Sequence, residues 1–114
     1  MHELPIVTRL LDGVEAHARE RGAARVVAVN LAVGEKAGLV DDSLRFYFDM
    51  LTPGTVADGA RLNVRLTPMR FRCAGCASEY SPSGADFGCP ECGAVGQVVD
   101  EATDLRIESI EMAS

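Results

Sequence analysis

RVVAVNLAV, at residues 25–33, is the stretch from which the fold of this chain can be worked out. Its larger apolar residues recur at a period of two and define one face: Val27, Val29, Leu31 and Val33. Asn30 lies on the other face with two small alanines, and β-branched residues dominate the segment. This pattern predicts a β-strand with one buried face, and Gly34 and Gly38 mark the loop that follows it.

An amphipathic segment stands on each side of this strand. Before it, apolar residues from Leu4 to Arg21 recur at helical spacing, and Gly22 supplies a stop. After it, DSLRFYFDML (residues 42–51) places apolar side chains at i, i+3, i+4 and i+7 before a proline and a glycine. We expect two helices, the second capped by the side chain of Asp41 or Asp42.

Two more segments alternate as strands do. RLNVRLT (residues 61–67) alternates regularly, whereas DLRIESIEM (residues 104–112) changes phase between Ile107 and Ile110. One inserted residue in the last strand, Glu108 or Ser109, would explain the shift as a β-bulge.

The order of elements predicts an α+β fold, with a three-stranded sheet, two helices and a small inserted zinc-ribbon lobe. Residues 69–103 have little periodicity, are rich in Gly, Ser and Pro, and carry all four cysteines. We expect one α/β domain at residues 1–68 and 104–114, and a ribbon-like domain at 69–103 whose core is too small to fold unaided.

Composition limits the function. At 114 residues and 12.1 kDa the chain can build one modest core, and its net charge of −6 disfavours nucleic-acid backbones and anionic membranes. It has neither a stretch of transmembrane length nor a cationic leader, which predicts a cytoplasmic protein.

The cysteines form two close pairs, CAGC and CPEC, separated by twelve residues. Two such pairs supply four thiolates to a tetrahedral ion, so Cys73, Cys76, Cys89 and Cys92 are predicted zinc ligands. With all four positions filled by protein, the ion would be structural. The alternatives from the residues alone are a rubredoxin-like iron site, a redox dithiol pair and two disulfides.

The first residues, MHE, form a second candidate metal site. The Met1 α-amine, the His2 amide nitrogen and the His2 imidazole are consecutive donors, and the Glu3 amide or a carboxylate would complete a square. Nitrogen-rich square sites suit Ni(II) or Cu(II). A solvated terminal histidine is the alternative, and His17, among charged neighbours, is a weaker candidate for a ligand.

In combination, these motifs resemble those of the HypA/HybF family of hydrogenase-maturation nickel metallochaperones. The resemblance rests on MHEL, VNLAVGE, VDDSLRFYFDML, the two cysteine pairs and DLRIESIEM, in one order over nearly the whole chain.

The resemblance implies a nickel-binding α/β domain and a zinc-binding lobe inserted before the last strand. It places nickel ligands at the Met1 amine, His2 and Glu3, with Asp41 at an acidic position near the nickel. It also implies delivery of Ni(II) to the large subunit of [NiFe] hydrogenase with a partner GTPase, HypB.

Together, the residues and the resemblance predict a non-enzymatic nickel carrier with a structural zinc site, a monomer or weak homodimer that binds no nucleic acid and no membrane. One alternative is a zinc-ribbon module that binds protein or nucleic acid, for which Arg70 and Arg72 supply a basic pair. Another is an electron-transfer protein with iron on the four cysteines.

Overall fold

The computed structural model describes residues 3–82 and 87–114. Two helices and six strands occupy these ranges: α1 (Glu3–Glu20), β1 (Arg25–Gly34), α2 (Asp41–Leu51), β2 (Arg61–Thr67), β3 (Arg70–Arg72), β4 (Glu79–Tyr80), β5 (Gln97–Asp100) and β6 (Leu105–Ala113). The predicted fold class is confirmed. No helix within the described ranges is long and apolar enough to cross a membrane.

β1 is the central strand of the first sheet, whose order is β2-β1-β6. It runs parallel to β2 and antiparallel to β6. A parallel pair needs a crossover connection, and α2 supplies it between β1 and β2. The helices pack on the sheet around a core of buried apolar residues: Val7, Leu10, Leu11, Val14, Ala18, Val26, Val29, Leu31, Val33, Leu44, Phe48, Ala57 and Leu62.

The predicted bulge in the last strand is confirmed at Glu108. Asn30 pairs with Ser109 and Leu31 pairs with Ile107, which leaves Glu108 as the extra residue of β6. The bulge restores the phase, so that Ile107 and Ile110 both pack against the core.

A second bulge, in β1, corrects the predicted inward face of this strand. Val26 pairs with Met112 and Ala28 pairs with Glu111, so Val27 is the extra residue. Val26 is 1% exposed and enters the core, whereas Val27 is half-buried. The expectation for Val27 was wrong because strict alternation assumes an uninterrupted ladder.

The predicted side-chain cap of α2 is also wrong. Val40 occupies the N-cap position without a side-chain hydrogen bond, and Asp41 and Asp42 lie in the first helical turn. Acidic residues there still favour the helix through its dipole. Asp41 instead accepts a hydrogen bond from Arg45 Nε at 3.0 Å.

A second small sheet, of order β4-β3-β5, belongs to the cysteine segment. Its chain leaves and returns at the end of β1, where the Glu35 N–H donates to Thr67 and the Lys36 N–H donates to Ala102, both at 2.8 Å. A methyl group on Gly34 would overlap the Ala102 carbonyl, so this close approach requires glycine. The division into an α/β domain at residues 1–68 and 104–114 and a ribbon-like domain at 69–103 stays a prediction.

Candidate metal centres

The four cysteines lie together in the small lobe. Their sulfur atoms are all within 4.8 Å of one another, with Cys73 Sγ 3.2 Å from Cys92 Sγ and Cys76 Sγ 3.7 Å from Cys89 Sγ. In a tetrahedral site with Zn–S bonds of 2.3 Å, sulfurs lie about 3.8 Å apart. No disulfide joins these cysteines. The thiol-only donor set and its spacing therefore fit Zn(II).

Two turns of the same design position the sulfurs. In the first turn, residues 73–78, the Ala77 N–H donates to the Cys73 carbonyl and the Cys73 N–H donates to the Ser78 carbonyl, both at 2.9 Å. In the second turn, residues 89–94, the equivalent bonds run from Gly93 to Cys89 and from Cys89 to Ala94, both at 2.8 Å. The backbone thus presents each cysteine pair in the same way.

Hydrogen-bond donors favour the thiolate at the inner cysteine Cys73, and burial opposes them. Cys73 is 1% exposed and Cys89 is 3% exposed. The Cys76 N–H, followed by the Cys92 thiol and the Gly75 N–H, lowers the pKa of Cys73 to about 6. These donors partly neutralise the sulfur charge that a metal ion would share.

The outer cysteine Cys92 has the opposite tendency. The Ala94 N–H lowers its pKa, but the thiol of Cys73 and desolvation act the other way, and the pKa is raised to about 12. The four clustered thiols therefore cannot all lose their protons in the absence of a cation. A divalent cation supplies the positive charge that lets them do so.

Aromatic rings support the cluster from one side. Phe71 stacks on Tyr80 with ring centroids 5.7 Å apart, and it contacts Phe87 at 5.9 Å. The Tyr80 hydroxyl donates to the Phe87 carbonyl at 2.7 Å and accepts from the Gly96 N–H at 2.9 Å. Phe71 and Tyr80 are buried in the small core of this lobe, whereas Phe87 remains 45% exposed.

The basic pair of the ribbon is already neutralised within the lobe. Arg70 and Arg72 each form an ion pair with Glu79, at 2.7 and 2.8 Å, and Arg70 also approaches Asp100 at 3.8 Å. The nucleic-acid alternative thus lacks the free basic patch on which it depends.

The predicted nickel residues divide between described and undescribed parts of the chain. Met1 and His2 lie outside the described residues. Glu3 begins α1, is 2% exposed, and its Oε2 accepts a hydrogen bond from the Val40 N–H at 3.0 Å. Asp41 follows Val40 directly, so this bond brings the start of α1 to the start of α2.

Asp41 itself is held by a neighbouring arginine. Arg45 Nε donates to Asp41 Oδ2, and Arg45 Nη1 donates to the Leu62 carbonyl at 2.6 Å. The carboxylate keeps a side-chain exposure of 51% and remains open to solvent. The contact of Val40 with Glu3 and the contact of Arg45 with Asp41 were not predicted from the sequence. An acid four residues before an arginine signals the second contact. The first has no signal in the sequence, because its donor is a backbone N–H.

Comparison with known proteins agrees with this architecture. Residues 1–112 match the model of a family described as hydrogenase/urease nickel incorporation, metallochaperone, HypA. A hydrogenase maturation factor HypA from Caldanaerobacter subterraneus is 37% identical over 98% of this chain and 99% of its own length. Another HypA, from Dehalococcoides mccartyi, is 41% identical over 98% of this chain and 94% of its own length.

Solved structures show the same fold. The solution structure of the nickel metallochaperone HypA from Helicobacter pylori aligns with a TM-score of 0.68 at 21% identity, over 100% of this chain and 99% of that one. A second HypA solution structure aligns with a TM-score of 0.72 at 23% identity, over 98% of this chain and 96% of that one. The family and the thiolate cluster agree with the expected metals, nickel and zinc. This chain is a member of the HypA family of nickel metallochaperones in hydrogenase maturation.

Proposed function

We propose that this chain binds one Ni(II) ion at its amino terminus and hands it over during maturation of [NiFe] hydrogenase. The ligands are the Met1 amine, the amide and imidazole of His2, and the Glu3 segment, with Asp41 beside them. The nickel is cargo, whereas the four-cysteine site retains a structural zinc ion.

The observation that carries this proposal is the hydrogen bond from the Val40 N–H to Glu3 Oε2. It fixes the first turn of α1 beside the residue that precedes Asp41, in a chain whose family match begins at residue 1. The buried Glu3 carboxylate is used in this bond, so we assign its side chain to positioning and its backbone to the ligand set.

The donor set has the chemistry of a carrier. Amine, amide and imidazole nitrogens bind Ni(II) after losing protons, so affinity falls as pH falls. A short terminal segment with a solvent-exposed acid nearby allows ligands to be exchanged one at a time. The cysteine site, with four protein ligands, leaves no position for substrate, and we assign no catalysis to it.

The proposed partners are the maturation GTPase HypB and the large subunit of [NiFe] hydrogenase. The resemblance of the motifs and the family's role in hydrogenase maturation support this assignment. The setting is the cytoplasm, where reducing conditions keep the four cysteines available as thiols.

Nickel titration of two zinc-loaded proteins tests the ligand set. One has the native terminus, and the other carries a single extra residue before Met1. We expect tight one-to-one binding by calorimetry and visible spectroscopy in the first and its loss in the second. Equal binding by both would rule out the terminal amine as a ligand.

Variants at the two histidines separate ligand loss from damage to the fold. His2→Ala should abolish tight nickel binding and leave the zinc content unchanged. His17→Ala, which changes the only other histidine, is the matched control and should bind nickel normally. Unfolding of the His2 variant would contradict the separation of the two metal sites.

A further inference from the structure

A groove runs between α1 and β6, outside the four-cysteine lobe, and its end at Ile6 and Leu39 adjoins the contact of Glu3 with Val40. Two cavities of about 540 and 350 Å³ form it, and they share Ile107. The helix wall includes Ile6, Leu10 and Gly13, and the strand wall includes Leu105 with Ile107. Its floor is therefore mainly aliphatic.

The strand wall is an unpaired sheet edge. In the described parts of the chain, β6 has β1 as its single neighbour. The Gly34 N–H donates to the Asp104 carbonyl at 2.8 Å, and antiparallel pairs alternate in the direction of their backbone groups. The N–H and C=O groups of Leu105 and Ile107 consequently face outward, along the groove, where a further strand can pair.

Two arginines flank the outer edge of β6, one on each face of the sheet. Arg9 on α1 and Arg106 on β6 line the larger cavity together with one acid, Asp104. Neither arginine forms an ion pair with any residue in 3–82 or 87–114. The nearby acid Glu108 is bonded through both oxygens to Arg65, and the charge of Arg106 also acts on it.

The two arginines serve opposite faces of an added strand. Leu105 and Ile107 pack toward the helices, so Arg106, between them, faces the other side of the sheet. Arg9 lies on the helix side. Acidic side chains on either face of a bound strand would thus meet a guanidinium group.

Gly13 supports close approach by another molecule. It lies in the middle of α1, where glycine is less favourable than alanine. A Cβ atom at this position would meet nothing within 4 Å, so nothing in the described fold requires glycine there. Its lack of a side chain leaves the smaller cavity open.

We propose that this groove docks an extended, acidic segment of a partner protein, which pairs with the outer edge of β6 as a fourth strand. Residues 105–110 offer a strip of roughly 20 Å, about six residues of strand. The bound segment would place aliphatic side chains on Ile6, Leu10 and Ile107, and carboxylates against Arg9 and Arg106.

Selection from a displayed library of random ten-residue peptides, against the full zinc-loaded chain without nickel, provides the probe. We expect the selected peptides to carry at least two acidic residues among alternating aliphatic ones. Amide shifts in NMR should map to α1 and β6. N-methylation of alternate peptide residues should abolish binding, because it blocks strand pairing without changing the protein.

Two protein variants test the walls of the groove. Arg9→Glu combined with Arg106→Glu should weaken the best peptide at least tenfold, whereas Arg19→Glu with Arg21→Glu, exposed arginines at the end of α1, should change it less than twofold. Gly13→Leu should weaken binding of the same peptide as strongly as the Arg9→Glu and Arg106→Glu pair does, and it should not lower the melting temperature.

The alternatives give different results. No enrichment, enrichment of basic peptides, or shifts confined to the zinc lobe would each overturn the proposal. The proposal would also be overturned if β6 paired with a second copy of the chain in a concentration-dependent way and no peptide could compete. The occupant of the groove would then be that second copy.

Discussion

The two lobes of this protein are stabilised by different means. The α/β lobe encloses thirteen buried apolar residues, whereas the described core of the small lobe consists of Phe71, Tyr80 and two cysteines. Burial of aliphatic surface can stabilise the first lobe, but four residues cannot offset the entropy of ordering the second. The comparison teaches that the metal takes the place of a core in the small lobe.

Removal of zinc is the largest perturbation that separates the lobes. Structural zinc sites contribute about 10–16 kcal/mol, so chelation at neutral pH should unfold the small lobe and leave the sheet β2-β1-β6 intact. Hydrogen exchange should rise sharply in β3, β4 and β5 alone. Cys73→Ser should act in the same way, with Ser81→Ala as the control in the same lobe.

Equal loss of protection in both sheets after chelation would contradict this separation. It would show that the contacts at Gly34 and Ala102 make the chain one cooperative unit.

Phe48→Ala should produce the reverse pattern. Phe48 is 1% exposed in the α/β core, and such truncations cost about 3–5 kcal/mol through lost contacts and a cavity. Urea unfolding of the α/β lobe should shift accordingly, while zinc stoichiometry stays at one per chain. Phe46→Ala, on the same helix but 63% exposed, is the matched control and should have little effect.

A smaller effect distinguishes the two cysteine turns. Ala77 and Gly93 hold equivalent positions with φ values of 61° and 78°, a region that costs a residue with a side chain about 1 kcal/mol. Ala77→Gly should therefore strengthen zinc retention, and Gly93→Ala should weaken it. Competition with a chromophoric chelator measures both, and effects of the same sign would contradict the backbone explanation.

The smallest expected effect concerns acid stability. Hydrogen bonding to Arg65 lowers the pKa of Glu108, so this carboxylate stabilises the fold above about pH 4.3, its ordinary value, and the contribution is lost as pH falls through the lowered pKa. Glu108→Gln should therefore slightly lower the free energy of unfolding at pH 7. It should also weaken the pH dependence of that free energy below about pH 4.3, as followed by urea unfolding.

Glu79 is the counterpart in the small lobe, where Arg72 lowers its pKa. Glu79→Gln should leave acid unfolding of that lobe almost unchanged, because protonation of the thiolates releases the metal first. A large change at Glu79 would show that surface charges, and not the metal, set the stability of the lobe.

The sequence predicted the two helices, the three strands of the first sheet and one of its two bulges, but not the short strands β3, β4 and β5. The reason why only one bulge was predicted is physical. Two isoleucines of β6, Ile107 and Ile110, are large and out of phase, so the inserted residue leaves a mark on the pattern. In β1, Val26 and Val27 are identical, and no pattern of side chains can tell which one a bulge turns inward.

The two candidate metal sites also differ in how much of them the sequence predicts. The spacing of the cysteines alone predicts that the four ligands converge, because the donor atoms belong to side chains that the sequence identifies. The Glu3 contact to Val40 depends on a backbone N–H that every residue except proline possesses, and only the packing of α1 against α2 selects it.

The paired hydrogen bonds at Glu35 and Lys36 have a consequence for engineering. Since adjacent residues of one loop hold Thr67 and Ala102, the two ends of the metal-binding segment are near neighbours, and closing so short a gap has a low entropic cost. We therefore expect that a few glycines can replace the segment and leave a smaller protein that folds around the sheet β2-β1-β6.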